Sequence, residues 1–274
     1  YNSGLPAPKI LDQIGKFKTT KTIYDVLYKH GVLARTGDTM RDPNLNHAYF
    51  ENIDTYDKAY ALGLMISDGW VARPQYSSPG HIIKNPQIAL SLNIDDQYLV
   101  EWMKAQWNSS NAINLISNNN ATVFPGGKTY ECKDMSRIVV TSQKMYMDLD
   151  KLGVDVNKSY LSCLPKINLE LYSHLLRGIL DGDGTVGIYP YGDKETLSVK
   201  FTGTQCLVGQ ISWLLSELLD VDYVKPSGKK NAVLSSVTYN IDSQTKILTD
   251  YLYKNKDQSM YLKRKYKIVE DYFS

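Results

Sequence analysis

Cysteine is scarce in this chain. Cys132, Cys163 and Cys206 are odd in number, widely spaced and free of any C-x-x-C pair, so they suggest neither a disulfide framework nor a zinc site and fit a reducing compartment best. Long apolar runs are missing as well. Nothing approaches membrane-spanning length and the first residues lack a signal-peptide core, so an intracellular protein of cytoplasm, nucleoid or organelle matrix is expected, with no membrane partner. The four histidines, His30, His47, His81 and His174, stand singly, which gives histidine-centred metal chemistry no footing. The first residue is Tyr1 rather than Met, as expected of a fragment or a processed product. Neither an N-terminal Cys or Ser nor a C-terminal His-Asn pair is present, which argues against protein self-splicing.

Net charge is also small, +2 over 274 residues, a length that holds one large domain or two ordinary ones. The charge is unevenly placed. Residues 1–35 hold six Lys/Arg against two acids and residues 251–274 hold six against three, leaving 19 bases to face 24 acids between them. Basic ends on an otherwise acidic chain point to a polyanionic partner, although such runs also serve as plain solvated helix faces.

What the chain does have is a doubled segment. Leu175-Leu176-Arg177-Gly178-Ile179-Leu180-Asp181-Gly182-Asp183-Gly184 reads as an apolar helix that delivers an acid to its last turn and stops at glycine. Tyr60-Ala61-Leu62-Gly63-Leu64-Met65-Ile66-Ser67-Asp68-Gly69 repeats the pattern, and the two terminal acids, Asp68 and Asp183, lie 115 residues apart. Each copy carries two small residues four apart, Gly63 with Ser67 and Gly178 with Gly182, on one helix face. Packing through those faces brings Asp68 and Asp183 side by side at the negative ends of two helix dipoles, where a cation is needed. A divalent metal is the natural candidate, held by the two carboxylates and by backbone near Ser67 and Gly182.

Both stretches resemble the LAGLIDADG motif of homing endonucleases. The second copy reproduces the terminal D-x-D-G as Asp181, Gly182, Asp183 and Gly184; the first has Ile66 where the earlier aspartate usually stands but keeps the functional acid as Asp68. The resemblance implies a monomer with internal pseudo-two-fold symmetry that binds a long double-stranded DNA site. It implies a metal-dependent double-strand cut leaving short 3′ overhangs, in the service of intron or intein mobility. An RNA-splicing maturase and a non-cleaving DNA-binding regulator are the alternatives on the same fold.

Periodicity along the chain fits a duplicated α+β fold. Each repeat reads as motif helix, two strands, helix, two strands, helix, and the resemblance implies that the antiparallel sheets form a DNA-binding saddle. We expect a helix-turn-helix-like extension over 1–35, a linker over 36–52, a first repeat over 53–165 and a second over 166–274. In the extension, a helix from Pro8 to Gly15 and another from Lys21 to His30 would offer Lys18, Lys21 and Lys29 to DNA, as many unrelated helical hairpins also could. Strands are expected at 70–73, 87–93, 112–116 and 137–141, then at 186–191, 197–202, near Tyr223 and at 233–241. The final helix is expected over 258–272.

Cutting a phosphodiester needs an activated water, a sink for charge on the phosphate oxygens and help for the leaving oxygen. Two carboxylates holding Mg2+, or another divalent ion such as Mn2+, supply these. We therefore assign Asp68 and Asp183 to metal binding and catalysis. The family places a lysine near each scissile phosphate, for which Lys158 and Lys265 are candidates, the latter inside the basic run containing Lys263 and Arg264. Asp181 lies on another face of its helix and is expected to be structural. DNA contacts are expected from Arg73, Gln75, Tyr76, Lys84, Asn85 and Asn93 in the first half. Tyr189, Tyr191, Lys194, Ser198, Lys200 and Thr202 are their counterparts in the second, with Lys263 and Arg264 beside them. Asn93 and Thr202 stand where the family often carries a glutamine that positions water.

Overall fold

The computed structural model describes residues 7–15, 19, 22–23, 26, 42–78, 81–117, 121–123, 129–131, 133–154, 156, 163–228 and 233–274. The chain divides into two compact units, 1–43 and 44–274. In the first, helix α1 (Ala7–Ile14) ends at Gly15, whose positive φ of 63° and bond to the Leu11 carbonyl (3.0 Å) close the last turn. The expected second helix falls almost wholly outside the described residues, as do Lys18, Lys21 and Lys29.

The second unit is built around the two motif helices, α2 (Tyr56–Ser67) and α5 (Tyr172–Asp183). Thr55 starts α2 by accepting from the Lys58 amide at 3.2 Å, and Asp57 sits in the first turn, where an acid favours the dipole. Every residue from Ala59 to Ile66 is buried, as is every residue from Ser173 to Asp181. Helices apolar all round belong at the centre of a protein, and here they share one continuous hydrophobic cluster with both sheets.

Each motif helix runs directly into a strand. In the first repeat β1 (Gly69–Ala72), β4 (Gln87–Asn93), β8 (Met135–Thr141) and β5 (Asn114–Ile116) form one antiparallel sheet in the order β1-β4-β8-β5. Two hairpins, β2 (Gln75–Ser78) with β3 (His81–Lys84) and β6 (Ala121–Val123) with β7 (Thr129–Glu131), lie outside that sheet, in stretches read from sequence as loops. Helices α3 (Gln97–Gln106) and α4 (Gln143–Lys151) pack on its inner side, where Ile88, Leu90, Ile138 and Val140 are fully buried. In the second repeat, β9 (Thr185–Tyr191), β10 (Lys194–Thr204) and β11 (Leu234–Tyr239) form an antiparallel sheet in the order β11-β10-β9. Helices α6 (Gln205–Leu218), α7 (Asp242–Tyr253) and α8 (Lys263–Phe273) complete the repeat. The expected alternation holds on β10: Leu197, Val199 and Phe201 are fully buried while Ser198, Lys200 and Thr202 are not.

Several sequence expectations need correcting. The strand near Tyr223 is an irregular segment, which among the described residues pairs with the sheet through the bridge between Ser227 and Ser236. The last helix begins at Lys263 rather than near Gln258, because a short 3-10 turn (Lys256–Gln258) is followed by extended backbone. Residues 44–52, read as linker, pack on the first repeat: Leu45, Tyr49 and Phe50 are buried, and the Asn46 amide donates to the Trp107 carbonyl at 2.8 Å. Cys163 and Cys206 form a disulfide, against the expectation of none, because the segment at 163–165 runs along α6, with the Leu164 amide on the Gln210 side chain at 2.7 Å.

Candidate metal and nucleic-acid site

The two motif helices meet backbone to backbone. A methyl built on Gly63 would lie 2.8 Å from the Gly178 Cα, and one built on Gly178 would lie 2.9 Å from the Gly63 Cα. One turn on, Gly182 is pressed against the Ser67 side chain, and its missing methyl would lie 2.9 Å from an Asp68 carboxylate oxygen. The small-residue faces thus pack the two helices against each other. This packing seats the Asp68 carboxylate against the residue that precedes Asp183.

Both acids stand at carbonyl ends. Asp68 caps α2, its amide donating to Leu64 at 2.9 Å, while the Ser67 hydroxyl donates to the carbonyls of Gly63 and Leu64. Asp183 is the last residue of α5 and is exposed. Among the described residues no group of three or more His, Cys, Asp or Glu is placed to hold a metal ion. A hard divalent cation that keeps several waters and takes phosphate oxygens needs only one or two protein carboxylates, so the pair of acids fits such an ion.

A cation is already present beside Asp183, and it belongs to the chain. The Lys265 ammonium is buried and donates to the carbonyls of Leu180 (2.6 Å), Asp181 (2.8 Å) and Gly184 (2.7 Å), with Gly182 at 3.5 Å. It supplies the positive charge that the end of α5 requires. Burial pulls its pKa down to about 8, against the pull of Asp181, Asp68 and Asp183 in the opposite direction. Lys265 therefore sits at the candidate site with its amine committed to main-chain oxygens, which differs from the free surface amine allowed by the sequence. Lys158 lies outside the described residues.

Asp181 faces the interior, as expected of a structural acid. One carboxylate oxygen accepts from the Tyr60 hydroxyl and from the Leu262 amide, both at 2.8 Å, and burial raises its pKa to about 6. Next to it, Arg177 crosses the core. Its guanidinium donates to the carbonyls of Leu252 (2.8 Å) and Met260 (3.0 Å) and to His174 Nδ1 (2.9 Å), and lies 5.4 Å over the Tyr60 ring. Arginine only donates, so His174 Nδ1 is an acceptor and the proton resides on Nε2. The sequence gives no sign of this network beyond a charged residue in an apolar run.

On the second sheet the register places Tyr189, Lys194, Ser198, Lys200 and Thr202 on the face away from the core. Tyr191 pairs with Lys194 at the hairpin end. In the first half, Arg73 and Gln75 are exposed just beyond β1, Asn85 is half-buried before β4, and the side chains of Tyr76 and Lys84 lie outside the described ones. Asn93 is on the outer face but accepts from the Asp95 amide at 3.0 Å as the cap of a 3-10 turn, which occupies its oxygen. Lys263 and Arg264 turn to the first repeat instead of standing free: Lys263 lies 4.7 Å over the Tyr98 ring and Arg264 pairs with Asp96 at 3.2 Å.

The outer face of the first sheet also carries Trp70, Gln87, Ser91, Asn114 and Arg137, which sequence reading passed over. Trp70 pairs in register with Ala89, and the Arg137 guanidinium sits 5.1 Å over its ring. Extending the β4 alternation to its neighbours finds these residues once the pairing is known.

No protein-family model matches the sequence, and no curated protein matches it. Among solved structures the chain is similar to I-GzeII in complex with its DNA target, at 11% identity over 72% of this chain and 82% of that one, with a TM-score of 0.48. It is similar to I-SmaMI bound to uncleaved DNA target in the presence of calcium ions, at 13% identity over 69% and 80%, with a TM-score of 0.45. I-LtrWI bound to target DNA is 13% identical over 80% and 87%, with a TM-score of 0.47. These solved relatives in shape are LAGLIDADG homing endonucleases.

Proposed function

We propose that this chain is a sequence-specific, metal-dependent DNA endonuclease of the homing type that cuts both strands and leaves short 3′ overhangs. The observation that carries this reading is the meeting of the two motif helices, with the Asp68 carboxylate against Gly182 and Asp183 the next residue. Asp68 and Asp183, with backbone oxygens near Ser67 and Gly182, would hold Mg2+ or a similar divalent ion. When bound, that ion neutralises charge on the phosphate and lowers the pKa of a water. Lys265 adds a fixed positive charge at the same corner, and its carbonyl contacts hold the turn in which Asp183 stands.

Lys194, Ser198, Lys200 and Thr202 on β10, with Trp70 and Arg137 in the first repeat, offer donors and a ring to a duplex laid along the outer faces. Bases in such positions contribute sequence-independent affinity through phosphates, while amide and guanidinium groups read base edges. One chain carrying both acids needs no second copy, so the active form is a monomer.

The test is digestion of a plasmid library of genomic segments by the purified chain with Mg2+, followed by sequencing of the ends. We expect one preferred site cut on both strands with short 3′ overhangs, and no cutting in EDTA. Tight binding of one site without cutting would favour the regulator. Binding of intron RNA with no DNA cleavage would favour the maturase.

A further inference from the structure

The start of α8 is chemically wrong for its sequence. Lys263, Arg264 and Lys265 place three cations at the positive end of a helix dipole, and Leu262 at the cap position has no side-chain acceptor for the unpaired amides of the first turn. The missing groups come from elsewhere in the fold. The Leu262 amide donates to Asp181 at 2.8 Å and the Lys263 amide to the Tyr98 hydroxyl at 2.8 Å; the same hydroxyl donates to the Tyr261 carbonyl at 3.2 Å. Burial pushes the Tyr98 phenol up to about 12, so it keeps the proton it donates. Asp96, buried two residues before Tyr98, takes the Arg264 guanidinium at 3.2 Å.

Tyr98 and Asp96 belong to the first repeat, whereas the helix they hold belongs to the second. Two residues beyond the Tyr98 contact, Lys265 grips the Asp181 and Gly184 carbonyls on either side of Asp183. We propose that Tyr98, supported by Asp96, is a positioning residue that fixes the second repeat's acid by clamping the start of α8 and, through it, Lys265. Tyr98 has no part in the chemistry itself. Its effect falls on the Asp183 half of the site and leaves the Asp68 half in place. The proposal rests on the endonuclease reading for its catalytic consequence, though not for its structural one.

Tyr98→Phe removes the hydroxyl and keeps the ring under Lys263, so the fold is retained. Two measurements test it. In time courses on supercoiled plasmid bearing the cleaved site, wild type should pass to linear product with little nicked intermediate. Tyr98→Phe should cut the first strand at the wild-type rate and the second about 10-fold more slowly, with affinity for the uncut site in EDTA unchanged; small misplacements of reacting groups cost up to about 100-fold in rate. Asp96→Asn should give a milder version. In amide hydrogen exchange without DNA, Tyr98→Phe should lose protection at residues 262–265 and at 183–184. Equal strand rates would overturn the catalytic part, and unchanged exchange at both segments would overturn the clamp. A wild-type chain that cuts no DNA would sink the endonuclease reading alone, since the exchange measurement still decides the clamp.

Discussion

Gly63 and Gly178 face each other across the seam of the motif helices so closely that neither can carry a side chain: a methyl on either would come within 2.9 Å of the other's Cα. The obstacle is backbone, which cannot rotate away. We expect Gly63→Ala and Gly178→Ala each to lower the unfolding free energy by about 1–3 kcal/mol or more, the usual range for overpacking. Urea unfolding measures it, and a loss below about 0.5 kcal/mol at both positions would mean the helices are not in contact there.

Gly209 is the opposite case. It lies inside α6, and among the described residues its missing methyl meets only the Pro226 ring, at 3.4 Å. Gly209→Ala should raise stability by about 0.5–1 kcal/mol, the difference in helix propensity between the two residues. Destabilisation would show that α6 packs more tightly on the Pro226 segment than the 3.4 Å separation allows.

His174 should make the fold acid-sensitive. Burial, then the charges of Arg177 and Lys254, lower its pKa from the ordinary 6.5 to about 3. The ring lies stacked on Tyr56, 4.2 Å between centroids. Between those values the unfolded chain binds a proton that the folded one does not. The contribution of neutral His174 is therefore complete above pH 6.5 and is lost as pH falls towards 3. Urea unfolding from pH 7.5 to 4.5 should show wild type weakening faster than His174→Asn on the acid side. Parallel curves would mean that His174 titrates normally in the fold.

Lys194 and Lys200 share the outer face of β10 with no acid opposite them in register. If DNA lies there, Lys194→Ala and Lys200→Ala should each weaken binding across all sequences and reduce the slope of log K against log salt by about 1. Binding isotherms between 50 and 200 mM salt provide the check. An unchanged slope for both variants would move the duplex off this sheet.

Much of the candidate site's geometry was legible because it depends on short-range patterns. The glycine and serine spacing within each motif and the alternation along β10 are local, and they place Asp68, Asp183 and the Lys194–Thr202 face without reference to the rest of the chain. What escaped depends on distant partners. Nothing near Lys263 shows that Tyr98 and Asp96, more than 160 residues earlier, cap its helix, so Lys263 and Arg264 read as DNA contacts and Lys265 as a candidate catalytic lysine. Leu45, Tyr49 and Phe50 were lost among turn residues, although their apolar side chains needed a core. Cys163 and Cys206 are 43 residues apart, and only the docking of 163–165 on α6 brings them together.

The proposed cleavage requires Asp68 and Asp183 to act at one shared site. The most direct measurement is plasmid cleavage with Mg2+ by Asp68→Asn and by Asp183→Asn, each checked for wild-type DNA affinity and thermal unfolding. Loss of a metal-binding carboxylate removes several kcal/mol of transition-state stabilisation, so each variant should bind as wild type does and lose double-strand cutting by roughly 1,000-fold. Double-strand cutting that persists at the wild-type rate in either variant would contradict the site.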